Sequence, residues 1–206
     1  AAPDLRPDGW HTTRDIVFDR KGQLFLAISS RGDVLEAPPP DATAQLVQPD
    51  GTMRTFASGL RNPAGMAIQP GTGDLWVTVN ERDKLGGALP PDFLTRVERG
   101  DFYGWPYAYA GPHPDPVFGA RRPDLVAKTR TPDVLFEAHS APLGVVFYEG
   151  AQFPTPYRGD AFVALHGSGP YGAPDGYKVV RVHFAGGRPA GGYEDFVTGF
   201  SNNKAG

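Results

Sequence analysis

Gly59-Leu60-Arg61-Asn62-Pro63-Ala64-Gly65-Met66-Ala67-Ile68 runs through a turn at Gly71-Thr72-Gly73 into Asp74-Leu75-Trp76-Val77-Thr78-Val79-Asn80-Glu81-Arg82-Asp83. Short apolar, β-branched runs on either side of a Gly-rich turn read as paired strands. Pro63 sets the entry turn, which puts Arg61 and Asn62 at a strand mouth, where loops on a rigid scaffold carry function. Arg presents a planar fork of donors that suits a carboxylate-bearing ligand. An Arg paired with a neighbouring acid at a turn explains the same residue equally well.

The pattern recurs on both sides of this stretch. Upstream, Asp15–Asp19 and Gln23–Ile28 flank Arg20-Lys21-Gly22, and two weaker strands, Ala44–Gln48 and Met53–Ala57, flank Pro49-Asp50-Gly51-Thr52. Downstream, Val145–Tyr148 and Ala161–Leu165 restart the pair, followed by Tyr177–Phe184 and Tyr193–Phe200. Four-stranded units repeating at this period, with no convincing helix, are the signature of β-propeller blades. A sandwich with irregular loops is the alternative all-β reading. The expected repeats cover 10–58, 59–138 and 139–200, with a further blade beginning at 201–206. The middle one carries a long Pro/Gly/aromatic loop from Lys84 to Val134. A closed six-blade ring needs roughly 240–270 residues, so these 206 residues are expected to form an incomplete arc of about three to four blades. Its channel would stand open on one side, and its unpaired edges favour self-association.

Composition narrows the function classes. Hydrophobic content of 40% with Gly 27 and Pro 22 spread among apolar runs describes a turn-rich folded chain. A net charge of −3 without a basic stripe argues against nucleic acid as a partner. No apolar run is long enough to cross a bilayer as a helix. Zero Cys excludes disulfides and thiolate metal sites.

Three loops stand before equivalent strands: Trp10-His11-Thr12-Thr13-Arg14, Arg61-Asn62-Pro63 and His139-Ser140-Ala141-Pro142. In a propeller these converge at one end of the central channel, so His11, Arg61, Asn62 and His139 are expected to face a shared axial pocket. A His titrating near neutrality suits a general base. Glu81 or nearby carbonyls, at a strand end on the same side, offer oxygen ligands to a hard cation such as Ca²⁺; a solvated charge cluster is the competing reading. His166 also ends a strand. Phe102-Tyr103-Gly104-Trp105-Pro106-Tyr107 either floors a ligand pocket or packs a long loop. His113 and His183 receive no role.

Gly59-Leu60-Arg61-Asn62-Pro63, Val79–Asp83, Phe102–Pro106, His139–Gly144, Ala164–Ser168 and Gly176–Val180 occur in an order and spacing that resembles the glucose/sorbosone dehydrogenase family, in its sorbosone-dehydrogenase-like branch. The resemblance covers nearly the whole chain. It implies a six-bladed β-propeller, a pyrroloquinoline quinone (PQQ) cofactor with Ca²⁺ beside it, and oxidation of aldoses or related sugars in the bacterial periplasm. Carried over, it makes His11 the catalytic base and Arg61 and Asn62 the pair binding the quinone's carboxylates and carbonyls. It makes the backbone carbonyls of Glu81 and Arg82 the Ca²⁺ ligands, and it sets His139 in a cofactor-contacting loop. Lys204, in Ser201-Asn202-Asn203-Lys204, matches the first basic residue of a cofactor-holding segment. One departure is that no Lys stands near Gly167, where better-studied relatives carry a cofactor-binding one.

The implied reaction transfers hydride from a sugar carbon to the quinone while His11 removes the hydroxyl proton, with an external acceptor reoxidising the cofactor. The alternatives are a metal-dependent propeller lactonase and a non-catalytic binding propeller. The 206 residues by themselves are expected to be inactive, and the protein to be periplasmic or secreted.

Overall fold

The computed structural model describes residues 9–12, 14–167 and 176–200. Lys204, and with it the expected start of a further blade, lies outside them. The first sheet is an antiparallel meander of β1 (Arg14–Phe18), β2 (Leu24–Ile28), β3 (Thr43–Val47) and β4 (Met53–Ser58). Its first turn closes because Asp19 Oδ1 accepts the N–H groups of Lys21 and Gln23, while Gly22 takes a φ of 75°.

The second sheet contains β5 (Asn62–Ile68), β6 (Leu75–Asn80) and β7 (Pro91–Val97). An excursion then carries a two-stranded ribbon, β8 (Ala108–Tyr109) with β9 (His113–Pro114), and a one-turn-plus helix α1 (Pro123–Lys128). The chain returns as β10 (Val134–Ala138), pairing with β7 to complete the sheet. The third sheet is the meander β11 (Pro142–Phe147), β12 (Ala161–Leu165), β13 (Lys178–Ala185) and β14 (Arg188–Val197).

Three four-stranded sheets therefore stack face to face, with β1 and β11 both packed against β5. This is the arrangement of propeller blades around an axis lined by their first strands, as the repeat predicts. The stretch from Lys84 to Val134 is not one loop, however, because it holds β7. Leu89-Pro90-Pro91 reads as a turn, yet Pro91 occupies the first strand position, where its missing N–H costs no ladder bond. The helix is the second departure; Pro123 opens it at a position where no intrahelical donor is needed.

β6 is buried along its whole length, and the period of two divides its side chains between the seams. Leu75, Val77 and Val79 join Phe25, Leu46, Leu60 and Phe93 between the first and second sheets. Trp76 points the other way, among Leu94, Phe136, Phe147, Val163 and Val180, and meets the ring of Phe184 edge-on at 4.9 Å. Burying each such side chain contributes about 1.5–3 kcal/mol. The first strands approach so closely that a Cβ on Gly65 would stand 2.9 Å from Gly144 Cα and 2.9 Å from Thr78 Oγ1. Met66 N–H donates to Asp15 Oδ2 at 2.6 Å, tying β5 to β1.

Candidate functional site

The loops entering β1, β5 and β11 and the loops leaving β2 and β6 meet at one end of the stack. His11 Nδ1 lies 2.9 Å from the carbonyl oxygen of Ser30. A carbonyl only accepts, so Nδ1 carries the proton and Nε2 keeps its lone pair. Burial, and then the positive charge of Arg61, hold the His11 pKa below its ordinary value, outweighing the opposite pull of the Ser30 carbonyl, Asp33 and Asp83. His11 is thus a neutral imidazole at pH 7 with its basic nitrogen fixed by a backbone contact. The Ser30 N–H in turn donates to the Arg61 carbonyl at 2.8 Å, which ties the His11 loop to the Arg61 loop.

Arg61 is only 4% exposed, and acceptors of the chain itself engage every nitrogen of its guanidinium. Nε donates to the Asp33 carbonyl (3.2 Å), Nη1 to the carbonyls of Asn80 (3.3 Å) and Glu81 (2.6 Å), and Nη2 to Asp33 Oδ1 (3.0 Å). The pairing of Arg61 with a nearby acid is therefore realised, although that acid stands 28 positions away in sequence. The fork knits three loops together and is not held open toward a ligand. Asn62 begins β5 instead of preceding it. Its Oδ1 accepts from Ser29 Oγ at 2.6 Å, which leaves the NH₂ end to meet a ligand.

His139 adopts a φ of 63° and Ala141 one of 52°, sparsely populated conformations that need strong local support. Asp92 supplies it, accepting the N–H of Ala141 at 2.8 Å and that of Glu81 at 2.7 Å. The His139 ring reaches Asp83 Oδ1 through Nδ1 (3.3 Å) and the Gly86 carbonyl through Nε2 (3.0 Å). Asp83 Oδ2 also lies 3.8 Å from Arg61 Nη2, so His139 joins the same charge network. His11, Arg61, Asn62 and His139 are brought together as their equivalent positions suggest.

The buried acids at this end carry high proton affinity. Burial pushes Glu81 up to about 8 and Asp92 up to about 6. Among the described residues, three buried side-chain oxygens have no hydrogen-bond partner: Asp33 Oδ2, Asn80 Oδ1 and Glu81 Oε1. For Ca²⁺, one of the two expected carbonyl ligands, that of Glu81, already accepts from the Arg61 guanidinium at 2.6 Å, so a second cation on its remaining lone pair would stand close to a like charge. Among the described residues no group of three or more His, Asp or Glu side chains could hold a metal.

Beside this network lies a cavity of about 510 Å³, lined by Trp10, Arg31, Asp33, Leu35, Arg82, Lys84, Val117 and Phe118. Its far wall is fixed by a buried ion pair between Arg82 Nη1 and Asp115 Oδ2 at 2.5 Å. The aromatic run does both things expected of it: Tyr103 joins the first seam and Trp105 Nε1 donates to the Asp33 carbonyl at 2.9 Å, while Phe102, Trp105, Pro106 and Tyr107 line a separate cavity of about 490 Å³. His166 donates its backbone N–H to the Ala141 carbonyl. His113 lies beside the Ala110 carbonyl, and His183 lies against Asp160 and Glu194. Sequence reasoning missed Asp33, Lys84 and Asp92. Asp33 was within reach, since Ser29–Asp33 leaves β2 at the same mouth as Asn80–Asp83 leaves β6.

Residues 2–169 match the family described as Glucose / Sorbosone dehydrogenase. The aldose sugar dehydrogenase YliI of Escherichia coli strain K12 is 30% identical over 167 residues, covering 71% of this chain and 43% of that protein. The fold matches the PQQ domain of pyranose dehydrogenase from Coprinopsis cinerea, in its holo form, with a TM-score of 0.77 and 21% identity, over 96% of this chain and 61% of that one. It also matches the PQQ-bound aldose sugar dehydrogenase of Streptomyces coelicolor, with a TM-score of 0.66 and 20% identity, over 94% and 51%. The chain spans about half the length of the curated relatives it matches. These likenesses agree with the three stacked sheets in giving a β-propeller fold.

Proposed function

The chain belongs to the glucose/sorbosone dehydrogenase family, and on that premise we propose that it forms the catalytic mouth of a PQQ-dependent dehydrogenase for aldoses or sugar aldehydes. The observation that carries the reading is the state of His11. Its Nδ1 is committed to the Ser30 carbonyl, its pKa is depressed, and its free Nε2 belongs to the loop cluster that holds Arg61 and Asn62. That is a general base kept ready at neutral pH.

When bound, PQQ would supply the two-electron acceptor for a hydride leaving the sugar carbon. The NH₂ of Asn62 fits the cofactor's carbonyl oxygens, because its amide oxygen is already used by Ser29. Arg61 acts as a buried positive centre that orients the loops around Asn62 and, after burial itself, helps to keep His11 unprotonated. His11 Nε2 takes the proton of the reacting hydroxyl as its carbon is oxidised. Lys204 is proposed as a further basic contact, and His139 as the residue that positions the loop before β11. No step is routed through Ca²⁺. An external electron acceptor and a periplasmic or secreted location complete the proposal; no helix among the described residues is long and apolar enough to cross a membrane.

The test places these residues in a protein with PQQ added and follows dye reduction with aldoses. His11→Gln is expected to keep PQQ affinity and lose about 10²–10⁴-fold in turnover, the usual contribution of a positioned base. Undiminished oxidation by that variant removes His11 from the reaction. Because burial and then Arg61 lower the His11 pKa, the acid limb of kcat/KM should fall below pH 6.5, the ordinary value. A limb above 6.5 would assign the titration to another group.

A further inference from the structure

Asp33 is buried to 7% exposure, and its two oxygens are treated differently. Oδ1 accepts from Arg61 Nη2 (3.0 Å) and from the Asp83 N–H (2.8 Å). Oδ2 has no hydrogen-bond partner, and a buried carboxylate oxygen without a donor is costly. Lys84 Nζ faces it at 3.8 Å, beyond hydrogen-bond reach, on a side chain that is 66% exposed. That same ammonium lies 5.8 Å from the centre of the Trp10 ring. Trp10 is 68% exposed, so a face of its ring is open to a ligand. Asp33, Lys84 and Trp10 all line the cavity beside the Arg61 network, together with Val117 and Phe118.

The chemistry of this wall selects its ligand. A metal cation or amine at Asp33 Oδ2 would meet the Lys84 ammonium, with Arg31 and Arg82 also on the wall, each on its own aspartate. A dense anion would meet the open oxygen of Asp33. A neutral polyol meets neither objection: one hydroxyl donates to Asp33 Oδ2, another accepts from Lys84 Nζ, and the C–H face of the ring covers the indole. We propose that Asp33, Lys84 and Trp10 form the sugar-binding wall of the site, with Lys84 as the mobile side chain that swings aside to uncover Asp33 Oδ2. The inference rests on the dehydrogenase reading for the identity of the sugar as substrate. It adds the residues that recognise the sugar's non-reacting hydroxyls, which neither His11 nor Asn62 explains.

The test uses a readout that needs neither PQQ nor turnover. Of the three tryptophans, Trp76 and Trp105 are buried, so acrylamide quenching of the fluorescence reports mainly on Trp10. Glucose, and sorbitol as a polyol without the reacting carbon, should both protect Trp10 from the quencher in a saturable manner. Lys84→Met, at an exposed side chain, should raise the glucose concentration for half-protection about tenfold, the loss of one hydrogen bond to a charged group. Asp33→Asn should raise it at least as much; if that variant fails to fold, Lys84→Met still decides. Absence of protection, or protection unchanged in Lys84→Met, overturns the wall. Protection without dye reduction when these residues stand in a full-length, PQQ-loaded protein supports the wall and defeats the dehydrogenase reading, whereas dye reduction there with Trp10 fully quenchable does the reverse.

Discussion

Among the described residues three buried arginines each sit on a buried aspartate, and two of those pairs, Arg181 with Asp160 and Arg61 with Asp33, differ in one atom. Arg181 donates to Asp160 Oδ2 through Nε at 2.7 Å, to Glu194 Oε1 at 3.0 Å and to the Pro156 carbonyl at 2.8 Å, with its guanidinium 3.7 Å from the centre of the Tyr157 ring. The other oxygen of Asp160 accepts the Phe184 N–H at 2.8 Å. Every polar atom of that pair is therefore answered within the third sheet. Arg61 is equally saturated, but Asp33 keeps one oxygen unanswered beside a cavity. A closed pair holds a fold together. A pair with an open acceptor at a strand mouth is stability withheld from the fold and available to a ligand.

Breaking the closed pair should have the largest effect. Asp160→Asn leaves the Arg181 charge buried without its full counter-charge, at an expected cost of about 3–5 kcal/mol in urea unfolding. Asp33→Asn should cost less, about 1–3 kcal/mol, because three carbonyls still hold Arg61 and the unanswered oxygen is removed. Equal losses in the two variants would end the distinction between them.

A weaker contrast depends on pH. Folded Glu81 keeps its proton up to about pH 8, whereas an unfolded glutamate releases it near 4.5. Between those values the folded state binds more protons, so stability falls as pH rises. Asp92, held to about 6, adds to the slope at its lower end. Glu81→Gln should flatten the fall between pH 6 and 8, measured as Tm against pH, while Asp160→Asn should leave that slope in place. The smallest effect belongs to Tyr157→Leu, which removes the ring under Arg181 at a cost of about 0.5–2 kcal/mol; no loss at all would mean that the ion pair alone secures Arg181.

The amino-acid sequence was sufficient for the repeating unit. Alternation at a period of two, with Gly and Asp turns, specifies strands and hairpins locally, so the first and third sheets were legible from residues close together. The same local signals concealed β7, because Pro90-Pro91 marks a turn whether or not a strand follows, and only pairing with β6 reveals the strand. The convergence of His11, Arg61, Asn62 and His139 was legible for a similar reason, as equivalent positions in a repeat. Their partners were not. Asp33 meets Arg61 from 28 positions away, Trp105 meets Asp33 from 72 away, and Asp115 meets Arg82 from 33 away. Whether an acid is a solvated turn residue, a closed ion pair or an open acceptor is decided by which loops the stacked sheets press together, and by the water that this contact excludes. That information lies in the tertiary structure alone.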